Sequence, residues 1–316
     1  MDFNSEKEPL LNKDDDDLEM KVDKQLLNIN KKSEKQILNK SCSCPNIFEN
    51  IFCCCIDYDL TNRQYNLYID LRNIVSIPYN HEDPNHEAKL KEFFDNLKEV
   101  FPDEEDDIKE NINDSNTIST NINTEANDKN SEIKTLAKKI GFQNNNPRTD
   151  FRAGGLNSLE FMNYFVIHHK VELKNNIIKE KYFNFVLASI NLSFCVRLVL
   201  YLTNIINVET TLKSYNLQGF TRKQIKHFSE QLERESTTKD DFLFELMSQC
   251  LLFVFKKYQS EIEYDKKDEN FVKINSIIKE AIYYLGDTLN QTNKNENLEE
   301  KLIHKLAGEL IGKNLK

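Results

Sequence analysis

The chain has 316 residues, with 42 Lys+Arg against 52 Asp+Glu and a formal charge of −10. An acidic balance, with no local basic face to offset it, excludes binding along a nucleic-acid phosphate backbone. A hydrophobic fraction of 39%, with 20 Phe and 12 Tyr, suffices for one large domain with tails or for two small ones. A mean hydropathy of −0.62 places much of the polar sequence outside that core.

Residues 1–58 read as a disordered acidic tail, with Asp14–Asp17 as a run of like charges. Met1–Leu11 lacks the apolar stretch of a secretory signal, and Asp2 is incompatible with N-myristoylation. The segment from Glu6 to Leu11 resembles an acidic dileucine sorting signal, a pattern that arises easily by chance. The seven cysteines are odd in number and unevenly spaced, unlike a secreted disulfide framework, so a cytoplasmic setting is expected.

Five of those cysteines cluster as Cys42, Cys44, Cys53, Cys54 and Cys55. Three readings stand. S-acylation fits Ile47, Phe48, Ile51 and Phe52 as an apolar dip into a bilayer surface, which would hold the chain at the cytosolic face of a membrane. The thiols could instead sit inert on a short apolar helix. Metal ligation is the third, against which the cluster lacks paired C-x-x-C spacing.

Residues 59–288 read as one helical domain, interrupted by a disordered polar insert at about 102–131, with a C-terminal amphipathic helix in 289–316. Residues 86–101 carry Leu90, Phe93, Phe94, Leu97, Val100 and Phe101 at helical spacing, with Asn85 as the cap. Residues 158–169 carry Leu159, Met162, Phe165, Val166 and His169, with Asn157 and Glu160 as a capping-box-like start.

Tyr182–Leu202 is long enough to span a bilayer. Asn184, Ser189, Asn191, Ser193 and Arg197 interrupt it, and a mid-span Arg costs about 2.5–3.5 kcal/mol. It therefore reads as a buried central helix. A helix over 240–258 follows the cap Thr238, and one over 271–285 stops at Gly286. Leu302, Ile303, Leu306 and Leu310 mark the last helix, over 298–311. No alternating runs are joined by a turn signal, so the predicted fold class is all-α.

Ile140–Gly155 differs from its surroundings. Gly141, Gly154 and Gly155 are three of seven glycines in the chain, and Pro147 is one of six prolines. Such a stretch supplies unusual backbone angles. Phe151 stands between Asp150 and Arg152, so the ring can anchor inward while the charged pair faces out or pairs locally. A structural Asp-x-Arg bridge and a presented guanidinium are both consistent with this pattern. Arg148, close by in the loop, reads as a solvent-facing control.

The run Gly141-Phe142-Gln143, Pro147, Thr149-Asp150-Phe151-Arg152, Gly155, Leu159 and Tyr164-Phe165 closely resembles the signature of the ELMO domain. Upstream, Pro78–Glu87 looks like that family's lead-in segment. Downstream, Phe183–Leu192 is similar to its central helix, so the resemblance covers most of residues 65–285. The chain departs from the pattern where Ala137 replaces a usual Trp, where Phe93 or Phe94 replaces another, and where Ala153 replaces a Gly. Asn157, Ser158 and Glu160 stand where apolar or small residues are common.

The resemblance implies a GTPase-activating protein for Arf/Arl-family small GTPases, with Arg152 as an arginine finger inserted in trans. Asp150 and Gln143 would orient Arg152 or hold the loop. Gly141, Phe142, Pro147, Thr149, Phe151 and Gly155 would form the partner-binding surface. GTP and Mg²⁺ would belong to the partner, with no cofactor of the chain's own. The sequence carries no Walker A motif or catalytic triad, as expected of a regulator without its own active site, and its scattered histidines suggest no metal site.

The alternative is a non-catalytic adaptor in small-GTPase signalling, including one tethered to a membrane by the cysteine cluster. The family's large scaffolds for DOCK-type exchange factors carry armadillo-like repeats, a pleckstrin-homology domain and a proline-rich tail. This chain, with six prolines, shows none of these.

Overall fold

Thr61 opens the first helix through a capping box: its hydroxyl accepts from the Gln64 amide, and the Gln64 side chain accepts from the Thr61 amide. The computed structural model describes residues 60–102, 133–143, 147–178, 183–235, 239–261, 270–293 and 295–313. The acidic tail, its cysteines and nearly all of the insert lie outside the described residues.

The helices are α1 (Asn62–Val75), α2 (Pro84–Val100), α3 (133–140), α4 (Phe151–His168), α5 (Phe185–Val199) and α6 (Val208–Ser214), then α7 (Arg222–Arg234), α8 (Lys239–Glu261), α9 (Asn270–Gln291) and α10 (Leu298–Lys313). A 3₁₀ turn at Pro147–Thr149 precedes α4, and a π turn at Leu173–Ile177 follows it. Among the described residues every regular element is helical, as predicted.

Helix α5 is the centre. Nearly all its residues are buried, and α4, α8 and α9 pack around it. The polar residues that interrupt its apolar run have hydrogen-bond partners. Ser189 donates to Phe185 O at 2.7 Å, and Ser193 Oγ accepts from Asn157 Nδ2 at 2.8 Å and from Ser158 Oγ at 3.1 Å. This is a core helix. No helix among the described residues is long and apolar enough to cross a membrane.

Two departures from the family pattern thus find partners in Ser193. Glu160, another departure, is paired with Lys89 of α2. Around α5, α2 lies on α4, α1 lies on α7, and α10 closes over α8 and α9.

Several predicted boundaries move. The α2 cap is Asp83, whose carboxylate accepts from the Asn85 amide at 2.9 Å, with Pro84 beginning the helix. The helix expected from about Asn157 begins just past the non-helical Gly155 (φ 65°, ψ −169°), and a separate helical turn holding Phe151 stands ahead of it across that kink. Asn157 is buried and caps nothing.

Gly286 does not stop α9. It is a contact glycine: a Cβ there would stand 2.9 Å from both Gln224 Nε2 and Phe220, and its carbonyl accepts from Gln224 Nε2 at 2.7 Å. The C-terminal helix buries Leu298, Leu302 and Leu306 within one compact unit that runs from Asp59 to Lys316.

At the far end of α4 a polar cluster ties it to α8. Glu245 accepts from Tyr164 Oη at 2.9 Å and from Gln249 at 2.6 Å, with His169 Nε2 at 3.5 Å. Burial alone would raise the Glu245 carboxyl, but His169, Gln249 and Tyr164 together hold it down to about 2. A carboxyl depressed on folding adds stability above its ordinary value near 4.5, and that stability is lost as the pH falls toward 2. Urea unfolding at pH 6 and pH 3 should therefore show a larger loss for the wild-type chain than for Glu245→Gln. Equal losses would remove this cluster from the acid response.

Candidate functional site

The 140–155 loop rests on an aromatic floor. Phe151 is fully buried, its ring 5.3 Å from Tyr79 and 5.8 Å from Phe142. Phe142 in turn meets Phe93 at 6.4 Å and Phe94 at 6.1 Å, so α2 forms the base of the cluster. The inward anchoring expected of Phe151 is thus realised.

The two ends of the loop are fixed by backbone geometry. Gly141 has φ 101°, a left-handed conformation that favours glycine, and a Cβ there would collide with the Asn184 amide. Asn184 works in two directions. Its Nδ2 donates to Gly141 O at 2.8 Å, and its Oδ1 accepts from the Leu187 amide at 2.8 Å as the N-cap of α5. One side chain therefore joins the loop to the central helix.

Gly155, at φ 65°, lets α4 bend where it passes Ile77. A Cβ would stand 2.7 Å from Ile77 O, which accepts from the Leu156 amide at 3.0 Å. On the far side of the bend the first turn of α4, Phe151–Gly154, carries Arg152.

Asp150 braces that turn. Its Oδ2 accepts from the Gln143 amide at 3.0 Å, so the two predicted orienting residues are bonded to each other, with Gln143 contributing its backbone and remaining exposed. Thr149 Oγ1 lies 3.4 Å from Asp150 Oδ1. The side chains of Arg152 and Ala153 lie outside the described residues. Among the expected partner-contacting residues, Phe142, Pro147, Phe151 and Gly155 are buried. Gln143, by contrast, is exposed.

Arg148 is no neutral control. It forms a bidentate pair with Glu87 of α2, Nε–Oε1 at 2.8 Å and Nη2–Oε2 at 2.5 Å. Tyr79 Oη donates to the same carboxylate at 2.8 Å, and His86 stacks on Tyr79 and accepts from the Asn80 amide. The Arg148 hydrogen bond is the chief cause holding the Glu87 carboxyl below its usual range. Burial, with the Glu87 bond, raises the Tyr79 phenol. The lead-in segment and the loop are thus one interlocked unit.

Sequence reasoning missed Asn184, Tyr79, Glu87 and Arg197 as parts of this unit. Arg197 donates to Gly154 O at 2.6 Å and to Val75 O at 2.7 Å, although in sequence it registers only as a break in an apolar run. The lipidation candidates Cys42, Cys44, Cys53, Cys54 and Cys55 lie outside the described residues. Cys195 and Cys250 are buried, and burial pushes both thiols up to about 12, which makes them unreactive. Among the described residues no three His, Cys, Asp or Glu side chains gather to hold a metal ion.

A model of the ELMO/CED-12 family matches residues 69–274, more than half of the chain, and the chain belongs to that family of small-GTPase regulators and adaptors. No curated protein and no solved structure matches it.

Proposed function

We propose that the chain is a GTPase-activating protein for an Arf/Arl-family small GTPase, supplying Arg152 in trans. The observation that carries the reading is the footing of the turn that bears Arg152. Phe151 is locked beneath it, Asp150 is tied to the Gln143 amide, and the neighbouring Arg148 is engaged by Glu87. GTP hydrolysis spreads negative charge over the phosphoryl oxygens, and a guanidinium held on a rigid base stabilises that charge with little reorganisation. Water positioning and Mg²⁺ ligation remain with the GTPase, and the chain brings no cofactor of its own.

Single-turnover GTP hydrolysis by a panel of Arf, Arl and Rac-type GTPases tests the reading. Acceleration of an Arf or Arl member supports it. GTP-dependent binding without acceleration of any member would make the chain an adaptor.

In the same reading the chain works at the cytosolic face of a membrane, held by acylation of Cys42, Cys44, Cys53, Cys54 and Cys55. A hydroxylamine-labile acyl label lost when all five become serine is the expected result. An undiminished label would exclude these sites.

A further inference from the structure

Arg197 lies in the last turn of α5 and is only 5% exposed. Among the described residues its hydrogen-bond partners are all backbone carbonyls: Gly154 O at 2.6 Å, Val75 O at 2.7 Å and Ser193 O at 3.4 Å. No carboxylate pairs with it there. Burial pulls its pKa down to about 10, so it remains charged at neutral pH. A desolvated guanidinium without a counter-charge is an expensive way to fill a core, where an apolar side chain of similar size would pack without penalty.

What the guanidinium does is join two segments that are otherwise distant in sequence. Val75 ends α1, where helix carbonyls carry partial negative charge and a cation is favoured. Gly154 is the last residue before the left-handed bend at Gly155, two residues beyond Arg152. One planar fork therefore fixes the first turn of α4 against the end of α1 from below. Asp150 and Phe151 brace the same turn from its other end. Lysine would keep the charge but lacks the fork that engages both carbonyls together.

We propose that Arg197 is a positioning residue for the turn that carries Arg152, acting through the Gly154 carbonyl without touching a partner. The catalytic part of this inference rests on the GTPase-activating reading, whereas the structural part does not.

The test uses the full chain with Arg197→Lys and Arg197→Met. Amide hydrogen exchange is followed across the molecule, and stimulated single-turnover hydrolysis is measured with and without Arg152→Ala. In Arg197→Lys, exchange should accelerate about tenfold or more at residues 75–78 and 150–158 while α8, α9 and α10 keep wild-type rates. The maximal stimulated rate should fall about ten- to a hundredfold with an unchanged half-saturating concentration. Combined with Arg152→Ala, the substitution should cause no further loss.

Unchanged exchange at the two segments overturns the proposal, as does exchange accelerated throughout the domain, which would make Arg197 a general core residue. So does a rate loss that persists in full beside Arg152→Ala. Should the wild-type chain accelerate no GTPase, the functional reading fails and the exchange pattern alone decides Arg197. If Arg197→Met does not fold, Arg197→Lys carries the test.

Discussion

Arg152→Ala is expected to lower stimulated GTP hydrolysis about 10³-fold or more, while GTP-dependent binding stays within a few-fold of wild type. A finger in trans contributes about 10³–10⁵ in rate, equivalent to about 4–7 kcal/mol of barrier. That contribution arises as charge develops in the transition state, so it appears in the maximal rate and hardly in ground-state affinity. The described footing of the loop rests on Phe151, Asp150 and the Gly155 bend. Arg148→Ala behaves differently. It removes the bidentate partner of Glu87 and loosens the lead-in segment, so its effect should appear in affinity and stability as well as rate. Rate measured against GTPase concentration separates the two variants, and a tenfold loss of affinity in Arg152→Ala would contradict the assignment.

The second large effect is on stability. Phe151→Ala should cost about 3–5 kcal/mol in urea unfolding, in the range for a buried aromatic truncated to alanine. Phe151 has no exposed surface and joins Tyr79 of the lead-in segment to Phe142 of the loop, so the cavity would open between elements that cannot collapse together without moving the turn above. Phe151→Leu retains much of the volume and should cost less than half as much. A loss below about 1 kcal/mol for the alanine variant would mean that the aromatic floor is not what holds the loop.

Features carried by residues near in sequence were legible beforehand. The aromatic ring between two charges at Asp150–Arg152 announced an inward anchor, and the Tyr182–Leu202 run announced a core helix once its polar interruptions were weighed. The caps were less legible. Asp83, Pro84 and Asn85 are all residues that favour a helix start, and only the 2.9 Å bond from the Asn85 amide to the Asp83 carboxylate identifies the cap. Gly286 looked like a stop because sequence does not reveal that Gln224 and Phe220 press against it.

The long-range braces were not legible at all. Glu87 meets Arg148 across 61 residues, and Arg197 meets Val75 across 122, so neither pair leaves a local pattern. For Arg197 the one available signal was its cost: a charge that interrupts a buried helix needs a reason to remain, and here the reason is a carbonyl two residues from Arg152.

The most direct measurement is formation of a complex between the chain and its GTPase loaded with GDP and aluminium fluoride, which imitates the transferring phosphoryl group. The account predicts that wild-type protein binds this form at least a hundredfold more tightly than the GDP form, as expected for a transition-state analogue, and that Arg152→Ala loses the added affinity. Equal affinity of wild-type and Arg152→Ala protein for the aluminium-fluoride form would contradict it and leave the loop a docking element.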